Sequence, residues 1–139
     1  MFVVGHATQN KELKLKSYKT GISLVVAGVI SSTLKMTVQR ARPYATYPDI
    51  IYQKTETGSY SFPSGHTNFA FTTATSLTLA FPKWYVIVPA YSYAAAVGYS
   101  RMNLGVHYPS DVLTGALIGA GSSLLSWKAQ KWINKKRMK

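Results

Sequence analysis

Four stretches of the chain, 20–34, 67–82, 84–100 and 112–127, contain no charged residue at all. A helix on the surface of a soluble protein keeps charge along one face. Runs of 15 to 17 residues without any predict helices that are buried or that face lipid. Each run is slightly shorter than the roughly 20 residues of a full membrane span. Snorkelling lysines and the interfacial aromatics Trp84, Tyr85 and Trp127 could lengthen them. A soluble all-α core is the alternative that length leaves open. No internal repeat is visible, and the only long loop is 43–62. With 139 residues, one domain is expected.

Charge changes this picture by its distribution more than by its sum. The chain has 16 Lys+Arg against 4 Asp+Glu, a net charge of +12. Such a balance first suggests nucleic acid and next a membrane surface. Ten of the basic residues, however, sit at the two ends: Lys11, Lys14, Lys16 and Lys19, then Lys128, Lys131, Lys135, Lys136, Arg137 and Lys139. They flank apolar runs, with no basic and aromatic surface motif, so nucleic-acid binding is not expected. If the chain starts in the cytoplasm and crosses four times, the two ends and Lys83 fall inside. The segments 35–66 and 101–111 then fall outside with only Lys35, Arg40, Arg42, Lys54 and Arg101. That asymmetry has the sign of the positive-inside rule. It predicts both termini in the cytoplasm and the loop 44–60 outside. There is no cysteine, which excludes disulfides and thiolate metal sites. The first ten residues lack a basic start and an apolar block, so no signal peptide is expected.

The outer segments also hold the candidate chemistry. In order they contain Lys35 and, seven residues on, Arg42-Pro43; then Pro63-Ser64-Gly65-His66; then Ser100-Arg101, His107 and Asp111. If one helix carries them, Lys35 and Arg42 lie two turns apart on one face, with Pro43 ending it. Three cations, two histidines and one carboxylate suit a compact anion of multiple charge, and phosphate fits. Arginine offers it a two-pronged hydrogen bond and lysine a point charge. Ser64 is a favourable N-cap and Gly65 allows close backbone approach, so a helix starting there would aim free N–H groups at the anion. His66 would stand beside it. On a helical turn Asp111 could reach one nitrogen of His107, fix its tautomer and leave the other nitrogen free to attack. Equally, such a pair could simply cap a helix. A divalent metal fits poorly among three cations.

The motifs Lys-x6-Arg-Pro, Pro-Ser-Gly-His and Ser-Arg-x5-His-x3-Asp, in this order, resemble the three-part signature of the type 2 phosphatidic acid phosphatase (PAP2) superfamily. All eleven fixed positions are filled. The segment 99–119 looks like the membrane-bound bacterial branch. The resemblance extends over 20–127 and implies an all-α transmembrane helical bundle. Its four spans would correspond to the last four of the family's usual six, in a single domain, 1–139, that apparently lacks the first two.

The resemblance also implies a metal-independent hydrolase without cofactor. It would act on a phospholipid or a polyprenyl phosphate or diphosphate, in the cell membrane, with its active site on the extracytoplasmic side. By position, His107 would be the nucleophile of a phosphohistidine intermediate and Asp111 its orienter. His66 would be the acid and base, and Lys35, Arg42, Ser64, Gly65 and Arg101 would bind phosphate. A vanadium-dependent haloperoxidase-like enzyme shares the anion pocket and is one alternative, though such enzymes are larger and soluble. An inactive truncated membrane protein is the other.

Overall fold

The computed structural model describes residues 10–58 and 60–137, the last four by their backbone only. The side chains of Lys135, Lys136, Arg137 and Lys139, and the start of the expected domain, 1–9, lie outside the described residues. Among those described, the elements are α1 (Lys11–Val38), a short α2 (Pro43–Thr46), α3 (Gly65–Ala80), α4 (Trp84–Asn103) and α5 (Pro109–Arg137), with no strand.

Local sequence sets the helix ends. Asn10 caps α1 by accepting from the Leu13 N–H. Gln39, in the left-handed conformation (φ 49°, ψ 36°), closes α1 and turns the chain. Arg42 therefore does not continue the helix of Lys35, contrary to the expectation of one shared face. It is extended (φ −80°, ψ 154°) because it precedes Pro43, which starts α2 instead of ending α1. Pro109 likewise sets the start of α5. His107 stands before that helix and Asp111 in its first turn, so the pair spans a helix start and does not share one helical turn.

α3 is the centre of the bundle, packed against α1, α4 and α5, while α5 also packs on α1. The interior is small and polar. Its buried apolar side chains are Ala27, Ala74, Ala80, Ala94 and Val106, and beside them lie Ser23, Thr67, Asn68, Thr72, Thr75, Ser76 and Ser123. Asn68 Nδ2 donates to Ala27 O across α1 and α3 (2.9 Å), and Ser123 Oγ donates to Thr72 O across α5 and α3 (2.9 Å). Large apolar side chains point outward instead, among them Val25, Val29, Leu113, Leu117 and Leu125. Water would oppose that arrangement; hydrocarbon favours it, because helices in lipid associate through small residues and interhelical hydrogen bonds. Gly115 and Gly119 make the close approach possible. A Cβ at Gly115 would lie 2.6 Å from Ser64 O, and one at Gly119 2.4 Å from Asn68 O.

By length and composition, one described segment, Lys11–Thr46, can cross a membrane, and only 17% of its apolar window is buried inside the protein. That exposure separates it from the core helix of a soluble domain. α3 is shorter, at 16 residues, or about 24 Å. In α4 and α5, hydroxyl-bearing residues and the basic end of α5 dilute the apolar content.

The bundle has two chemically distinct ends. At one, Lys16 Nζ lies 4.8 Å from the Phe81 ring centroid and Lys19 Nζ 5.0 Å from that of Trp127, so the basic start of α1 meets the end of α3 and the body of α5. The opposite end gathers the loop 39–64, the start of α3, the end of α4 and the start of α5.

Candidate active site

That second end holds all eight candidate site residues. Two backbone features draw them together. The Ser64 N–H donates to Asp111 O (3.0 Å), joining the starts of α3 and α5. Arg42 is 6% exposed and donates through Nε to Gly58 O (2.8 Å), through Nη1 to Val106 O (2.9 Å) and through Nη2 to Tyr60 O (2.9 Å). It fastens the long loop to the segment before α5. Lys35 Nζ donates to Tyr60 O (2.8 Å) and Pro63 O (3.1 Å). These two cations therefore organise the loop as well as charging the site. Arginine has five N–H donors and lysine three, so two remain on Arg42 and one on Lys35.

Ser64 occupies the N-cap position of α3, but its side chain makes no capping bond. Its hydroxyl instead pairs with Thr67 Oγ1 (2.9 Å), so the first-turn N–H groups of α3 are left for another acceptor. Above Gly65 there is open space, with nothing within 4 Å of a Cβ placed there. His66 follows, exposed, and shares with Gly65 and Arg101 the mouth of a cavity of about 610 Å³. The cavity runs between α3 and α4 past Phe69, Tyr93 and Leu77. Arg101 Nε is buried and has no hydrogen-bond partner among the described residues. A buried, unpaired donor costs free energy unless something fills its place.

His107 is 6% exposed and Asp111 fully buried. His107 Nδ1 lies 3.5 Å from Asp111 Oδ2, at the outer limit of a hydrogen bond, and has no closer partner. Oδ2 accepts from the Tyr108 N–H (2.9 Å), the helix-start bond that a capping residue makes. Oδ1 accepts from Arg40 Nη1 (2.9 Å). The capping role open from the sequence is thus present alongside the His107 contact.

Both ionisable groups precede the uncharged runs of their helices. Burial alone would raise the Asp111 carboxyl, but the His107 contact, the Tyr108 N–H and Arg40 outweigh it and hold it below the usual carboxylate range. Partial burial pushes the His66 imidazole down, and Arg101, His107 and Arg42 push it further in the same direction.

Arg40, Tyr108 and Thr67 were not among the expected site residues. Pro109 at the first helical position with Asp111 two residues on marks a helix start, and so flags Tyr108 as its cap. Nothing in the local pattern separates Arg40 from an ordinary loop cation.

Comparison with known proteins identifies the family. The PAP2 superfamily model matches residues 18–135. Undecaprenyl-diphosphatase of Sulfolobus acidocaldarius is 36% identical over 115 residues, covering 80% of this chain and 55% of that protein. The crystal structure of LpxE from Aquifex aeolicus superposes with a TM-score of 0.72 at 33% identity, covering 83% of this chain and 68% of that one. A transmembrane PAP2-type phosphatidylglycerolphosphate phosphatase from Bacillus subtilis gives 0.68 at 29% identity, covering 82% of this chain and 58% of that one. The chain thus spans little more than half the length of the curated relative, 55%. Since the matched region contains every signature position from Lys35 to Asp111, and the same all-helical frame carries them, the chain belongs to the PAP2 superfamily, among its membrane-embedded members.

Proposed function

We propose that this chain acts as an integral-membrane, metal-independent phosphatase. Its substrate would be a lipid bearing a terminal phosphate or diphosphate. The observation that carries the proposal is the junction at the bundle end. There, the His107–Asp111 pair, His66 and the unpaired Arg101 Nε stand together, and His66 and Arg101 open into an apolar cavity. From His66 to Leu77 that cavity follows α3 for about 16 Å, enough to receive the first part of a hydrocarbon chain. The relatives named above fit this substrate class, since one is an undecaprenyl-diphosphatase and another a phosphatidylglycerolphosphate phosphatase.

In the reaction, the substrate phosphate takes the free donors of Arg101, Arg42 and Lys35, the Ser64 hydroxyl and the N–H groups over Gly65. Asp111 holds the Nδ1 proton of His107, so the Nε2 lone pair attacks phosphorus. The P–O bond to the lipid breaks, and protonated His66 gives its proton to the leaving oxygen. Neutral His66 then takes a proton from water, which attacks the phosphohistidine and frees inorganic phosphate and His107. Developing negative charge on the phosphoryl oxygens is met by fixed cations and backbone dipoles. These cations would repel a divalent ion.

The bundle would cross the membrane four times, through the runs 20–34, 67–82, 84–100 and 112–127, with the site on the extracytoplasmic side. The polar interior and apolar exterior support this reading for all four helices, including those too short or too hydroxyl-rich to qualify by composition.

The test is phosphate release by the purified chain in detergent from phosphatidate, phosphatidylglycerophosphate and a polyprenyl diphosphate, with and without EDTA. Release from at least one lipid, unchanged in chelator and blocked by vanadate, is expected. Activity lost in EDTA and restored by magnesium would overturn the metal-free mechanism.

A further inference from the structure

We propose that Arg40 is a positioning residue for this reaction: it holds the Asp111 carboxylate, and through it His107, in the orientation that leaves one imidazole nitrogen free to attack. The proposal rests on the phosphatase reading above but on different contacts. Arg40 Nη1 donates to Asp111 Oδ1 at 2.9 Å and to Ser110 Oγ at 2.7 Å. Its guanidinium carbon lies 3.9 Å from the Tyr108 ring centroid. One side chain therefore grips Tyr108, just before α5, and Ser110 and Asp111 in its first turn. Arg40 is fixed in turn, because Ser61 donates to its carbonyl through N–H (2.9 Å) and Oγ (3.2 Å). The left-handed Gln39 turns the chain toward this position.

The two oxygens of Asp111 divide the work. Oδ2 faces Tyr108 N–H and His107 Nδ1, while Arg40 is the partner of Oδ1. A fully buried carboxylate with one oxygen unpaired could rotate or take up a proton, and either change weakens its hold on Nδ1. Arg40 prevents both. Its bond to Asp111 Oδ1, and the contact of Asp111 Oδ2 with His107 Nδ1, are the link through which it acts on the attacking imidazole. With 37% of its side chain exposed, its charge is partly screened, and its removal leaves Asp111 in place but less constrained.

The test uses the full chain in detergent, with p-nitrophenyl phosphate and a polyprenyl diphosphate as substrates. Arg40→Ala is expected to lower kcat about 10-fold, the scale of a hydrogen bond to a charged group, with KM changed less than about 2-fold. Arg40→Lys keeps the charge but loses the planar guanidinium that lies over the Tyr108 ring and fixes the direction of Nη1, so an intermediate kcat is expected. Guanidinium ion added to Arg40→Ala should restore part of the rate. In an Asp111→Asn background, Arg40→Ala should cost nothing further, since there is no carboxylate left to orient. A merely structural arginine would instead lower stability in both backgrounds, and the two losses would multiply.

The 15N shifts of His107 give a readout without turnover. Nδ1–H is the expected tautomer in the native chain, and a tautomer mixture in Arg40→Ala. A raised KM at constant kcat, multiplying losses, or an unchanged tautomer in Arg40→Ala would overturn the proposal. A native chain that releases no phosphate from any substrate, yet whose His107 tautomer depends on Arg40, would refute the phosphatase reading and leave the positioning role standing.

Discussion

His66 and His107 are held in opposite ways, and their chemistry should separate accordingly. His107 is buried against a carboxylate, whereas His66 is exposed at the cavity mouth among cations. Partial burial and those cations lower the His66 pKa, and the first step of the proposed mechanism would need its protonated form. For a lipid ester, kcat/KM should therefore fall as pH rises through a value below the usual imidazole range of ~6.5. A bound phosphate dianion favours the imidazolium, so the limb in kcat should lie at higher pH. His66→Ala should abolish most turnover of a lipid monophosphate. With p-nitrophenyl phosphate, whose leaving group hardly needs a proton, it should still give a burst of about one equivalent of nitrophenol before a slow steady state. Rapid-mixing absorbance reads the burst; its appearance in His107→Asn and absence in His66→Ala would exchange the two roles. The eight candidate site residues could be singled out from their types, their spacing and the family resemblance, and the fold brings all eight to one end. Arg40 was not legible. Its role depends on a left-handed turn at Gln39 and on the entry of α5 some seventy residues later, neither of which is a local property of the sequence.

Elements were legible as lengths of uncharged chain but not as exact helices. Each uncharged run lies mostly within one observed helix, yet α1 and α5 extend well beyond theirs into lysine-bearing turns. The expectation of Lys35 and Arg42 on one face failed because α1 ends at Val38 with the left-handed Gln39, and the pre-proline restriction then keeps Arg42 extended. What charge patterning could not reveal is which helix faces touch. Gly115 and Gly119 stand four apart, the spacing at which small residues let two helices approach. At Gly119 the two atoms nearest a new Cβ, Asn68 O and Thr72 N, are backbone and cannot yield by a rotamer change. Gly119→Ala should therefore destabilise the fold by ~1–3 kcal/mol through overpacking. It should also lower activity, since α3 carries His66 and α5 carries Asp111. Gly121 has open space around it, so Gly121→Ala should stay within about 0.5 kcal/mol of the parent. Thermal unfolding in detergent compares the two. Equal behaviour would mean that the α3–α5 contact is looser than its geometry.

Over the whole molecule, the same asymmetry appears in charge, in chemistry and in surface. Lys16 and Lys19 sit at one end against Phe81 and Trp127, while Lys35, Arg42 and Arg101 sit at the other, each with a polar partner or facing the cavity. The separation is about one length of α3, or ~24 Å, close to the thickness of a hydrocarbon core. On the proposed topology, the positive-inside rule would keep the lysine-rich end in the cytoplasm and turn the site end outward. A lipid phosphate presented from the outer leaflet would then meet His66 with its tail already level with the cavity between α3 and α4. Since the chain has no cysteine, single cysteines can report this orientation without background. Glu56, in the long loop at the site end, and Lys83, in the turn at the other, are both exposed. In intact cells an impermeant maleimide should label Glu56→Cys at once and Lys83→Cys only after the membrane is opened. Ser126, although near the lysine-rich end, is 8% exposed and is a poor reporter for that reason. Labelling of Lys83→Cys alone in intact cells would invert the bundle and place phosphate release in the cytoplasm. Labelling of both before permeabilisation would mean that α3 does not cross the bilayer.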